Sequence, residues 1–232
     1  MYGLGTLINC VAILIGGIFG LLFGRFIKEK IQDALTKVCG ICTLFIGISG
    51  ALEHLFEIKN GSLLIVGCLT LGTLFGELLH IEDFFERFGE WLKKKTGNAK
   101  DTRFIEAFVT ASLTVSIGAM AIVGAIEDAL SGDISILVTK AVLDLIIIMV
   151  MTCAMGKGCL FSAIPVALLQ GSVTLLSRLI EPIMTDAALT NLSMIGSILI
   201  FCVGVNLVWG KKIRVANMLP AIILAVIAAF LL

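Results

Sequence analysis

Charge is scarce in this sequence: only 15% of its 232 residues are Asp, Glu, Lys or Arg. That is too few to solvate a disordered chain or to cover an ordinary water-soluble domain. Histidine is nearly absent, and His54 and His80 lie at the boundaries of apolar runs without metal-ligand spacing. With no metal cluster, nucleophile motif or Ser/His/Asp set, neither an enzyme nor a bound cofactor is expected. No basic block is joined to stacking aromatics, which excludes a nucleic-acid partner. The seventeen Lys plus Arg balance the seventeen Asp plus Glu, so overall charge favours no partner of either sign. Seven cysteines sit in or beside apolar runs and imply no oxidised framework. The pair Cys39 and Cys42 matches C-x-x-C, but it has no second pair or nearby histidine and reads as small apolar packing.

What the chain has in quantity is apolar surface, 59% of residues, with a mean hydropathy of +1.09. Apolar runs near the ~20 residues needed to cross a bilayer recur along the whole length. The fold class expected is therefore all-α, a polytopic membrane helix bundle. Runs at 4–24, 38–56, 62–80, 104–127, 134–155, 159–180, 190–209 and 213–232 give about eight spans, seven full and one short or broken. The last carries Arg214, Asn217 and Pro220, so only 221–232 is purely apolar. Met1 to Thr6 show no basic or cleavable leader, and the first run is read as a retained helix. The segments divide as 1–80, a first three-span unit; 81–103, an amphipathic connector; and 104–232, a second unit of about five spans.

The basic residues orient this count. Fourteen of the seventeen fall in alternate loops (one to two, three to four, five to six, seven to eight), and short cytoplasmic loops are enriched in Lys and Arg. Both termini are thus expected outside. In the connector, Ile81, Phe84, Phe85, Phe88, Trp91 and Leu92 share one helical face opposite Glu82, Asp83, Glu86, Arg87 and Glu90. Such a helix, ending in Lys93, Lys94 and Lys95, lies in the headgroup layer and is attracted to anionic lipid.

Two repeats are visible. Arg25 precedes Asp33 by eight positions, as Arg178 precedes Asp186, which suggests an inverted repeat joining spans one and two to spans six and seven. A competing echo links 50–53 with 124–127 in the same direction. Gly16, Gly20 and Gly24 recur every fourth residue, as do Gly72 and Gly76, a spacing that lets helix backbones approach closely in lipid. They serve packing within one chain or between copies in a homo-oligomer.

An ionisable side chain at the centre of a membrane helix costs on the order of 2.5–3.5 kcal/mol, so it calls for a partner or a task. Span five holds Lys140 and Asp144, four apart and hence on one face. Gln170 comes to a similar depth five residues after Pro165, and span four offers Thr110, Ser112, Thr114 and Ser116 before Gly118. Asn9, Asn206 and Asn217 are further polar points, and Glu127 with Asp128 occupy the outer mouth. Glu77 and Glu106 lie near span ends. The candidate site for a small solute or cation is therefore Lys140, Asp144, Gln170, Thr114, Ser116, Asn9, Asn206 and Asn217, with Asp144 the natural acceptor of a proton or sodium ion. A structural reading stands beside it: the pair as an internal staple, and the hydroxyls bonded to their own helices.

The segments 5–9, Gly16-Gly17, 118–124, Lys140 with Leu143-Asp144, 162–166, Gln170-Gly171 and 215–220 resemble the YdfK/YqgA-like family of bacterial inner-membrane proteins, over nearly the entire chain. That resemblance implies a bacterial inner membrane and a multi-span fold, names no substrate, and picks out Lys140, Asp144, Gln170 and Asn217 as motif positions. The chain departs from the family at Ala107 and Ala129, where glycine is common, and at Leu169, where an aromatic is common. The function expected is secondary transport of a small solute or ion. A passive channel and a non-transporting, lipid-interacting assembly are the alternatives.

Overall fold

A computed structural model describes every residue except Met1, Tyr2, Lys59 and Leu232, and every side chain but also those of Glu29 and Ala119. The described residues form no strand. In chain order the helices are α1 (Leu4–Gly24), α2 (Glu29–Leu55), α3 (Gly61–Leu79), α4 (Ile81–Lys95), α5 (Phe104–Ser116), α6 (Ala119–Leu130), α7 (Ser135–Met155), α8 (Ala163–Leu175), α9 (Ser177–Ile180), α10 (Asp186–Trp209) and α11 (Pro220–Ala228). Three 3₁₀ turns, Lys157–Ser162, Glu181–Ile183 and Val215–Met218, join them.

Six of these helices, counting the turn at Lys157 with α8, are long and apolar enough to cross a bilayer. The expected fourth span, 104–127, is not continuous. It breaks after Ser116, and its two halves, α5 and α6, bend by 60°. The cause is local: Gly118 adopts φ +142, a conformation that L side chains rarely take. Counted as one broken span, α5 and α6 make the seventh. The last apolar segment is short, a 3₁₀ turn followed by Pro220 at the first position of α11, where a missing N–H costs nothing. The second span extends further than its apolar run suggests. Glu29–Lys37 is helical, and Lys37 pairs with Asp33 at 2.9 Å across one turn.

The chain divides into two compact units whose composition follows packing rather than chain order. Unit 1 comprises Met1–Cys39, Glu86–Ser116 and Met120–Ile180. Its spine is α1 against α7. Gly16, Gly20 and Gly24 lie on the α7 backbone at Leu145, Met149 and Cys153, so the four-residue glycine period meets a four-residue period of main chain. With hydrophobic drive weak between helices in lipid, such backbone contact is what holds a pair together. At one end, Leu92, Phe104 and Phe108 are buried together, with Phe88 and Phe161 packed on them.

Unit 2 comprises Gly40–Phe85, Ile117–Ala119 and Glu181–Leu232. Here Gly40 and Gly47 of α2 lie against Val208 and Phe201 of α10, while Gly72 and Gly76 of α3 lie against Ala221 and Asn217. These glycine stripes therefore pack within one chain.

Each unit contains a hairpin of like construction. In unit 1, α7 ends at Gly156 (φ +99), then a 3₁₀ turn leads to the helix bearing Pro165. In unit 2, α10 ends at Gly210 (φ +77), and a 3₁₀ turn leads to Pro220. Lys157, Ser162 and Pro165 stand in the same spacing as Lys212, Asn217 and Pro220. Ser162 and Asn217 are both fully buried.

The connector helix does not present its apolar face as one surface. Phe88 and Leu92 pack on protein in unit 1, while Phe84 and Trp91 remain exposed. Glu82, expected on the polar face, is buried in unit 2 with its carboxylate 2.6 Å from Lys211 Nζ.

Candidate functional site

An α-helix leaves the carbonyls of its last turn without intrahelical partners. The break after Ser116 creates such an end inside unit 1, and Lys140 meets it: its Nζ donates to the Val115 carbonyl at 2.8 Å. The same ammonium is bonded to the Asp144 carboxylate one turn along α7. A cation at a helix C-terminus also complements the helix dipole. Both charged residues are buried, at 6% and 4% exposure, with Asp144 nine residues into the 21-residue α7. The pair is therefore stored deep in the fold.

Helices α1 and α8 supply the neighbouring amides. Asn9 and Gln170 are fully buried, and Asn9 Nδ2 donates to Gln170 Oε1 at 3.4 Å. Asn9 also lies near enough to Asp144 to act on its carboxylate. Cys10, the next residue on α1, donates to the Ala163 carbonyl at 3.7 Å and lies in the field of both charges. Several buried polar atoms have no protein partner: Asn9 Oδ1, Gln170 Nε2, Ser116 Oγ and, one turn before Asn9, Thr6 Oγ1. The arrangement is a neutralised ion pair in a unit that keeps unspent donors and acceptors.

Not every expected residue joins it. Thr114 Oγ1 is committed to the Thr110 carbonyl at 2.8 Å and Ser112 Oγ to Phe108 at 2.6 Å, the back-bonding typical of hydroxyls on helices. Asp128 is not a solvated mouth residue. It is fully buried, and its Oδ2 accepts from the Gly5 amide at 2.9 Å, capping the start of α1. Glu127 beside it is half-buried. Three participants escaped the sequence reading: the Val115 carbonyl, Thr6, and the capping role of Asp128. Gly118 was the available signal for the first, since it marks the break that frees the carbonyl.

The family model described as "Protein of unknown function (DUF554)" matches residues 4–230. The chain belongs to the DUF554 family. It is 30% identical over 228 residues to "Uncharacterized membrane protein YdfK" of Bacillus subtilis (strain 168), covering 98% of this chain and 96% of that one. It is 29% identical over 230 residues to "Uncharacterized protein YqgA" of Escherichia coli (strain K12), covering 96% and 94%. No solved structure matches.

In this DUF554 chain the two remaining candidate asparagines, Asn206 and Asn217, belong to unit 2 and bond to its backbone. Asn206 Oδ1 accepts from the amides of Lys212 and Ile213 at 2.8 and 2.9 Å, and its Nδ2 donates to the Ile213 carbonyl at 2.7 Å. That closes the loop after α10, so Asn206 has no free group for a solute. Asn217 Oδ1 accepts from the Glu82 amide at 2.7 Å, satisfying an otherwise orphaned donor at the start of α4. Arg214 bridges Glu77 at 3.1 Å and Asp83 at 3.4 Å. These bonds fasten the entry of α11 to α3 and α4.

Proposed function

We propose that this DUF554 member is a secondary transporter of a small solute or ion in the bacterial inner membrane. Binding occurs in unit 1 at Lys140, Asp144, Asn9, Gln170 and Ser116, with both termini outside. One observation carries this reading: a buried charge pair is anchored to the open end of a broken helix, in a unit where Asn9, Gln170 and Ser116 keep buried polar atoms that no protein group satisfies. A packing staple would leave no such surplus, because an unpaired buried polar atom costs about 1–3 kcal/mol. Broken helices whose freed backbone groups face a polar ligand are also the construction by which transporters build sites near the midplane. The basic residues concentrated in alternate loops support the orientation.

The test is a thermal-shift screen of ions and small metabolites on the purified protein. A true ligand at 100 times its Kd stabilises by about 2.7 kcal/mol, and that shift is lost in Asp144→Asn. If no compound shifts the protein, and Lys140→Met with Asp144→Leu keeps both stability and cellular phenotype, the transporter reading falls and a non-transporting assembly takes its place. In proteoliposomes, solute flux indifferent to proton and sodium gradients identifies a passive channel.

A further inference from the structure

Most of the unpartnered polar atoms of unit 1 fall in two groups, with Thr152 Oγ1 and Ser162 Oγ apart from them. Asp128 Oδ1 and Thr6 Oγ1 lie at the start of α1; Asn9 Oδ1 and Gln170 Nε2 belong to the bonded amide pair, and Ser116 Oγ to the residue after Val115. The Asp128 carboxylate is fixed at the Gly5 amide, Thr6 follows, and Asn9 is one turn further on, about 6 Å along the axis from Gly5 at ~1.5 Å per residue. Steps of that size are bridged by one hydroxyl and one or two waters. Buried polar atoms without protein partners take ordered water, and a site with several polar partners is where such water stays.

On the other side of the pair the spans are largely apolar, with Ser162 Oγ and Thr152 Oγ1 as unpartnered buried atoms there. From Val11 to Gly24 α1 has no polar side chain, and neither does α7 from Leu145 to Met151 or α8 from Ala163 to Leu169. Ile13 and Ile148 are fully buried there, and the glycines of α1 seat directly on the α7 main chain. The hydroxyls that α5 brings, Ser112 and Thr114, are bonded to their own helix. The next unpartnered atom on α7 is Thr152 Oγ1, eight residues beyond Asp144 and so about 12 Å along the helix.

We infer that unit 1 holds a file of internal waters leading from Asp128 past Thr6 and Asn9 to Asp144, and that it admits protons to the buried pair from the α1 N-terminal side. This extends the transporter reading by naming the proton as the coupling ion. A hydronium at the Asp128 end passes a proton along the waters and the Thr6 hydroxyl to the Asp144 carboxylate. Each O–H bond broken is replaced by one formed, leaving a neutral water at the entry and a carboxylic acid at Asp144. Lys140 keeps its bond to Val115. The titratable groups facing Asp144 are Lys140 on its own helix and Cys10 on α1; α8 presents Gln170, which does not titrate.

Two measurements on the full chain in nanodiscs decide this. Thr6→Cys and Thr152→Cys are treated separately with a small hydrophilic methanethiosulfonate, and modification is read by site-resolved mass spectrometry. Thr6→Cys is expected to react at least roughly tenfold faster; equal or slower reaction overturns the file. Infrared spectroscopy then follows the Asp144 carboxyl band, assigned by its loss in Asp144→Asn, after a pH jump. Asp128→Asn and Thr6→Val are each expected to slow its response by roughly tenfold or more. An unchanged rate in Thr6→Val, which leaves the Asp128 cap intact, overturns proton delivery along this route, as does a band that never responds. Should both measurements hold while the ligand screen finds nothing, the file stands and the transporter reading falls.

Discussion

Lys140 donates to the carbonyl of Val115, a residue 25 positions earlier on a different helix. The bond links the charge pair of α7 to the break between α5 and α6, so that neither feature is explained alone. Without the break the carbonyl would be used within its own helix, and without the ammonium the open helix end would be buried unpaired.

Removing one member of the pair is therefore expected to cost more than removing both. Lys140→Met should lower stability by about 3–5 kcal/mol, because it strands the Asp144 carboxylate in the interior. Adding Asp144→Leu should restore part of that loss, the Val115 carbonyl staying unpaired. Denaturant unfolding of the three proteins in one detergent checks it; a double variant as unstable as the single one contradicts the account.

The glycines separate into two classes. A Cβ at Gly16, Gly20 or Gly76 would run into the main chain of Leu145, Met149 or Asn217, whereas at Gly67 or Gly171 it would meet nothing within 4 Å. Alanine at the first three should destabilise by about 1–3 kcal/mol through overpacking. At the other two it should be neutral or favourable, since alanine improves on glycine in a helix by about 0.8–1.0 kcal/mol. Melting temperatures of the five variants test the division.

Asp128 caps α1, and Glu127 makes no comparable bond to a helix start. Asp128→Ala should cost about 0.5–2 kcal/mol, and Glu127→Ala less than about 0.5 kcal/mol. Amide hydrogen exchange at Gly5 and Thr6 should rise only in the first. Equal effects would return Asp128 to the outer-mouth role.

Between α6 and α7, Asp133 Oδ1 accepts from the Ser135 amide at 2.8 Å and hydroxyl at 2.6 Å. The hydroxyl bond first, then the amide, holds the exposed Asp133 carboxyl below its ordinary range. A folded value lower than the unfolded one means that the contribution is complete above the ordinary carboxylate value near ~3.9 and disappears as pH falls through the folded value. Carbon-13 titration of the Asp133 carboxyl should show the depression, and Ser135→Ala should remove most of it.

Much of the architecture was legible because it is written locally. Apolar run length sets which segments cross a bilayer, the i,i+4 spacing places Lys140 and Asp144 on one face, and Pro220 marks a short final helix. The glycine period announces close helix contact in the same way. Each of these follows from the geometry of a single helix.

What only the tertiary structure decided is which helix each of those faces meets. The glycine stripe of α1 could have met any backbone; its pairing with Leu145, Met149 and Cys153 brings Asn9 to Asp144. The Ser112 and Thr114 hydroxyls of α5 looked available until their own helix carbonyls claimed them, and Asp128 looked solvated until α1 began beneath it. Asn206 and Asn217 looked like ligands for a solute; in unit 2 Asn206 closes the loop after α10 and Asn217 Oδ1 caps the start of α4. The physical reason is that lipid rewards every apolar face equally, so hydropathy cannot rank partners. The choice falls to backbone approach and to the satisfaction of buried polar groups, and both depend on residues distant in the chain.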